Sequence, residues 1–251
     1  MAQSRHDYQS LRRPGAAHLQ TSSYTFGLAE RAQLERSFLA SGRWLNQSLL
    51  RLADDLAAGT ISVSRFNARA TDVIFRAYYN AYSLGAISIF PFYTMTDRDV
   101  RVLNEELALE TGFLRSFAQD IANHRLVMDP TTRARLYLLA LRGIFERGRV
   151  EAMPPGPYRW RLGNTEHCLE CASAAANGPY QRDRQSGLGL PVLPGAPGDG
   201  SVCLGLTRCG CRIEMASGTP LPNQELADEL RGLLLEAVHG FGTASSGATA
   251  D

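Results

Sequence analysis

The chain has 251 residues, 44% hydrophobic and 20% charged, enough for one large or two ordinary globular domains with a full core. That excludes a short disulfide-stapled peptide, and a formal charge of +1 leaves no global field drawing the chain to nucleic acid or an anionic membrane. All 26 basic residues are arginine, a usage that suits planar bonds to carboxylate and phosphate and that codon bias also produces.

Residues 1–26 are polar, with Arg12-Arg13-Pro14-Gly15 and Thr21-Ser22-Ser23, and show no sustained period. They read as a flexible or partner-ordered arm. Arg5, Arg12 and Arg13 precede no apolar segment, so no secretory signal is expected and the chain is assigned to a reducing cytoplasm or to something assembled there.

Residues 27–150 read as helical. Leu34, Phe38, Leu45, Leu49, Leu52 and Leu56 recur at helical intervals, which predicts one stripe of a helix ending near Gly59. Ser64 caps a second helix with Phe66, Ala70, Val73, Ala77, Ala81 and Leu84 on one face, before Gly85 and Pro91 interrupt it. The uncharged run from Ala77 to Thr96 has the length of a membrane span, but Asn80, Ser83, Gly85, Ser88, Pro91 and Thr94 make it a poor one. Thr96 with Asp97 and Asp99 opens a third helix that buries Val100, Leu103, Leu107, Leu114, Phe117 and Ile121 and runs to about Leu126. Its Glu105, Glu106 and Glu110 are expected on the solvated face. Asp129 and Pro130 start a fourth helix, with Leu136, Leu139, Ala140 and Ile144 as its buried side.

Residues 151–219 hold 7 of the 12 prolines and all five cysteines, which predicts a loop-rich module. Residues 220–251 form a last helix capped by Asn223, through Leu226, Leu230, Leu233, Leu234 and Val238, followed by a disordered tail from Thr243. The predicted fold is therefore mainly α: an elongated helical N-terminal region, a small loop-rich, cysteine-stapled, zinc-ribbon-like module, and a final helix.

Cys168 and Cys171 form a C-x2-C knuckle, 31 residues separate them from Cys203, and Cys209 and Cys211 follow as a C-x-C pair. Two knuckles joined by a loop are how tetrahedral zinc is commonly held, because each short spacing lets two thiolates converge on one ion. The expected ligands are Cys168, Cys171, Cys203 and Cys211, with Cys209 as the alternative to Cys211; His167 is a weaker nitrogen donor. The gap exceeds the roughly 12 to 20 residues of a compact zinc site, so a disulfide staple is kept as the alternative to metal. Either crosslink would stabilise a lobe with few large apolar residues. No enzyme is expected: H-x-E with P-C-x-x-C, C-x-x-C-H, G-x-x-x-x-G-K-[ST], G-x-S-x-G and H-E-x-x-H are all missing from the sequence.

The block Trp160-Arg161-Leu162-Gly163-Asn164-Thr165-Glu166-His167-Cys168-Leu169-Glu170-Cys171, then Gly178-Pro179-Tyr180, Pro194-Gly195, Gly198-Asp199-Gly200, Cys203 and Cys209-Gly210-Cys211-Arg212-Ile213 resembles the C-terminal module of tailed-phage head morphogenesis proteins, the minor head proteins similar to the F protein of phage Mu. In that family the final pair is C-R-C; here Gly210 replaces the middle arginine. The stretch Leu56-Ala57-Ala58-Gly59-Thr60-Ile61-Ser62 is similar to the family's turn between two helices, so the resemblance spans about residues 50–215. It implies a structural virion protein present in several copies, assembled in the host cytoplasm, that contacts portal or major capsid subunits at the portal vertex and touches packaged DNA. The alternative is a zinc-ribbon nucleic-acid-binding protein using Arg159, Arg161, Arg182, Arg184, Arg208 and Arg212 on phosphates, with Tyr158, Trp160 and Tyr180 to stack on bases.

Overall fold

The computed structural model describes residues 25–125, 129–154, 156–163, 168–182, 184, 187–197 and 210–240. The N-terminal arm and the tail from Thr243 lie outside them. The architecture is mainly helical, as the apolar periodicity predicts: α1 (Leu28–Ala57), α2 (Val63–Ile89), α3 (Asp97–Ala122), α4 (Pro130–Ala152), β1 (Pro157–Arg161), α5 (Leu169–Asn177), β2 (Tyr180–Gln181), β3 (Arg212–Met215) and α6 (Gln224–Gly240). Among the described residues no helix is long and apolar enough to cross a membrane.

Helices α2, α3 and α4 start where their capping chemistry dictates. Ser62 accepts from the Arg65 N–H at the head of α2, two residues earlier than the expected cap at Ser64. Gly59, with φ +71°, makes the turn that separates α1 from α2. Thr96 and Asp99 form a reciprocal capping box on α3, and the Asp129 carboxylate accepts from Thr131 and Thr132 ahead of Pro130 on α4. Those charge-assisted bonds hold the Asp129 carboxyl below its usual range, led by the Thr132 hydroxyl.

Helices α1 to α4 and α6 share one core, built on Phe38, Leu45, Leu49, Phe66, Ile74, Phe117, Leu141 and Phe145. Edge-to-face ring pairs Phe38–Phe145 and Phe66–Phe117 lock α1 to α4 and α2 to α3. Phe38, Leu45, Leu49, Leu52 and Leu56 of the α1 stripe are buried as their spacing predicts, and Leu34 is half-buried against the same core. The α4 face is rotated: Ala134, Tyr137, Leu138, Leu141, Ile144 and Phe145 are buried, whereas Leu136 is exposed and Leu139 and Ala140 are half-buried. A run as rich in leucine as Leu136–Leu141 fits two neighbouring helical stripes, and the partner helices decide between them.

Helix α2 continues through Gly85 rather than stopping there. The reason is a helix crossing: a Cβ on Gly85 would overlap the Phe145 carbonyl, and one on Gly148 would overlap the Tyr82 carbonyl, so the α2 and α4 backbones touch at these two glycines. Just beyond, Arg149 is fully buried, and burial pushes its pKa down. Its guanidinium lies 3.5 Å from Glu146 and donates to Ser88 Oγ at 3.4 Å, the Asn223 carbonyl at 3.2 Å, the Pro222 carbonyl at 3.3 Å and Gln224 Oε1 at 3.1 Å. Asn223, in the left-handed region that asparagine tolerates, directs its side chain to Ser88 O and Phe26 N.

Two carboxylates are drawn inward from α3. Asp99 is buried and accepts from the Tyr82 hydroxyl at 2.6 Å and the Tyr93 hydroxyl at 2.9 Å. Burial, then the Asp99 hydrogen bond, raises the Tyr82 pKa; burial, then the Asp99 charge, raises that of Tyr93. Glu110 is half-buried under the Tyr78 hydroxyl, and desolvation raises its pKa, so only part of the expected Glu105, Glu106 and Glu110 face is solvated.

Gly85→Ala is expected to destabilise the protein by about 1–3 kcal/mol, since the added methyl forces the helices apart. Gly112→Ala, on an exposed α3 site with nothing near its Cβ, is expected to stabilise by about 0.5–1 kcal/mol. Urea unfolding of both variants checks the contrast. Arg149→Met leaves Glu146 buried without its cation and is expected to cost about 3–5 kcal/mol in the same experiment.

Candidate functional site

The cysteine module is built on β1 as the central strand of a three-stranded sheet in the order β2-β1-β3, both pairings antiparallel. The sequence Pro157-Tyr158-Arg159-Trp160-Arg161 alternates, so Tyr158 and Trp160 are buried while Arg159 and Arg161 are exposed. Trp160 pairs with Ile213 and Arg161 with Arg212. Extending that register by two residues sets Gly163 opposite Gly210, and a Cβ on Gly163 would overlap the Gly210 carbonyl. The two chains that carry the cysteine knuckles therefore leave the sheet in backbone contact.

The expected loop-rich module thus contains a short helix and a small sheet. Cys168 is the N-cap residue of α5 and Cys171 lies in its first turn. Cys171 and Cys211 are buried, Cys168 is half-buried, and all three belong to a second core with Met153, Tyr158, Trp160, Tyr180, Leu193 and Ile213. The Tyr180 hydroxyl donates to the Ala174 carbonyl at 2.7 Å, tying β2 to α5. The Tyr158 hydroxyl donates to the Pro154 carbonyl, and burial pushes its pKa up to about 12.

Of the expected ligand set, the structure brings Cys168, Cys171 and Cys211 into one core, and no disulfide joins these three to one another. Cys203, Cys209 and His167 lie outside the described residues. Among the described residues no group of three His, Cys, Asp or Glu side chains forms a metal site.

The arginines of the alternative reading separate into two places. Arg159, Arg161 and Arg212 share the outer sheet face, where Arg212 lies 3.9 Å from Glu214. Arg182 turns toward α4, donating to the Met153 carbonyl at 2.7 Å and the Glu151 carbonyl at 3.2 Å. Arg184 is exposed, and Arg208 lies outside the described residues. Trp160 and Tyr158, expected to be available for stacking on bases, are instead core residues, as is Tyr180.

The module is seated on the helices by Ile89, Val150 and Met153, which belong to its core, and by Arg142, which donates to the Cys211 carbonyl at 3.4 Å. No signal of the seating is local to the cysteine block. The alternation of Tyr158 and Trp160 with arginine is the sequence signal that identifies β1. No family model matches the chain, and no curated protein or solved structure matches it.

Gly163→Val is expected to part the two backbones and loosen the module by about 1–3 kcal/mol. The readout is Trp160 emission in a Trp44→Phe background: a red shift at lower denaturant than the loss of helical circular dichroism. Coincident, unshifted transitions would contradict the close approach.

Proposed function

We propose that the protein is a structural minor head protein of a tailed bacteriophage, docking on portal or major capsid subunits during head assembly and carried in the virion. The observation that supports this most is that the residues bearing the resemblance are the ones that pack together. Trp160, Cys171, Tyr180, Cys211 and Ile213, spread over the whole motif, are buried in a single small core. A motif whose members build one lobe describes a scaffold rather than a set of reacting groups.

The helical surface offers apolar contacts of the kind subunit interfaces use. Phe92 is 79% exposed, and Leu109 and Phe113, one turn apart on α3, are 62% and 60% exposed. Among the described residues one open cleft lies between α1 and α2 near Arg51 and Asp72, and another beside Glu151.

In this reading Cys168, Cys171, Cys203 and Cys211 hold a structural zinc ion, with Cys209 as the alternative to Cys211. Thiolates are the donors such a site needs, and three of the four are gathered in one core beside the Gly163–Gly210 contact. A disulfide between cysteines of this set would serve the same mechanical purpose after release from the cell. The second reading, a zinc-ribbon nucleic-acid-binding module, is favoured by the outer sheet face with Arg159, Arg161 and Arg212.

Particles purified from cells that make this chain are expected to contain it at fixed stoichiometry, measured by quantitative mass spectrometry of procapsids and mature heads. Its absence from both would overturn the structural reading. Elemental analysis is expected to find about one zinc per chain, and its removal by chelation is expected to lower the denaturant concentration at which Trp160 becomes exposed. A salt-steep affinity of the isolated chain for duplex DNA, with no particle association, would instead select the second reading.

A further inference from the structure

Helix α3 buries Leu103, Leu114, Phe117 and Ile121 and leaves Leu109 and Phe113, four residues apart on another side, exposed. It runs antiparallel to α4: Arg98 near its start lies 3.2 Å from Glu151, and the Phe113 carbonyl accepts from the Arg133 guanidinium at 3.3 Å. Leu136, three residues beyond Arg133 on α4, is exposed as well. Leu109, Phe113 and Leu136 therefore mark one apolar surface where the two helices run side by side.

Charged residues flank this surface along α3 in a definite order. Arg101 and then Glu105 come before it, Arg115 and then Asp120 after it. The first three are exposed and Asp120 is half-buried. Half-buried Glu106 lies next to Glu105, so the acidic sign on that side is doubled. Measured from a centre near Glu110 and Thr111, Arg101 and Asp120 are equally far out, about 14 Å at about 1.5 Å per residue. Glu105 and Arg115 are likewise equidistant, at about 7–8 Å. Sign reverses on passing from each residue to its counterpart across the centre.

We propose that this face pairs with the same face of a second copy of the chain, the two α3 helices lying antiparallel across a two-fold axis. Such an axis brings the leading half of one helix against the trailing half of the other, so each Arg101 meets an Asp120 and each Glu105 meets an Arg115. Every contact occurs twice, as an isologous interface requires. A parallel pairing would set arginine against arginine and acid against acid. A uniformly acidic or basic partner would meet repulsion as well as attraction along the same row. Leu109 and Phe113 fill the middle of the pairing, where water is excluded, and the arginines and acids form its rim. The apolar patch is roughly a few hundred Å², so the interface is small and its dissociation constant is expected in about the micromolar range. Self-association of this face requires neither the virion reading nor a crosslink in the cysteine module.

The test is sedimentation equilibrium of the full chain from about 1 to 500 µM, which spans the expected constant. A reversible monomer–dimer equilibrium is expected. Leu109→Glu/Phe113→Glu, two exposed positions, is expected to weaken the dimer about tenfold or more while circular dichroism stays unchanged.

Charge reversal tests the register. Glu105→Arg alone sets two arginines against each other at both ends of the pairing, and Arg115→Glu alone sets two acids against each other. Each single variant is expected to dimerise about tenfold more weakly than the parent chain. Mixing the two variants restores opposite charges at both ends, so the mixture is expected to form a mixed dimer about as tight as the parent. Three results overturn the proposal: a monomer throughout the concentration range, an unweakened dimer in the folded Leu109→Glu/Phe113→Glu variant, or a mixture of the two charge variants that associates no better than either alone.

Discussion

A buried arginine sets the geometry of the helical body. Arg149 has no exposed surface, and removing a guanidinium from water is tolerable only where hydrogen-bond acceptors surround it. They come from α2 through Ser88, from α4 through Glu146 and from the chain entering α6 through Pro222, Asn223 and Gln224. The Ser88 contact depends on the α2–α4 crossing, where Gly85 and Gly148 let two backbones touch. Larger residues there would move Ser88 away from Arg149. Asn223 closes the node by joining Ser88 O to Phe26 N, so the start of α1, the end of α2 and the start of α6 are fixed at one point.

The same end of the bundle carries the cysteine module. Ile89 at the end of α2 and Val150 and Met153 at the end of α4 belong to the module's core, so the helices supply part of the apolar surface the lobe needs. Arg142 and Arg182 add donors to main-chain carbonyls across the seam. Polar groups at such a junction lose their water, and bonds to carbonyls offset that loss without requiring a buried counter-charge. Basic charge thus accumulates at the seam as a consequence of how the lobe is attached.

Sequence patterning resolves the elements whose apolar residues have a single consistent stripe. Phe38, Leu45, Leu49, Leu52 and Leu56 are buried as expected, and Thr96 with Asp99 does cap α3. Patterning does not resolve α4, where Leu136 to Leu141 fits two stripes, and it misreads Gly85 as a break because the touching backbone belongs to a helix sixty residues away. Arg149 looks like any surface arginine in the sequence, since its acceptors arrive from distant segments. At the site, the spacing of Cys168 and Cys171 points to convergence and Cys211 joins them in one core, yet nothing in that spacing announces a helix beginning at Cys168. The strands are too short for periodicity to find, except where Tyr158 and Trp160 alternate with arginine.

The module's dependence on the bundle bears on what a crosslink would do. A lobe of about 70 residues with few large apolar side chains closes a core with little margin. Borrowed residues from α2 and α4 lower the demand, and the Gly163–Gly210 contact already brings the two cysteine-bearing chains together before any sulfur is engaged. A zinc ion or a disulfide would therefore act on chains held near each other, adding rigidity and resistance to opening more than it directs the fold. Loss of the crosslink would free the knuckles while the five-helix core, built on Phe38, Phe66, Phe117 and Phe145, stays closed. The lobe can thus change its order without unfolding the helical body on which it is seated.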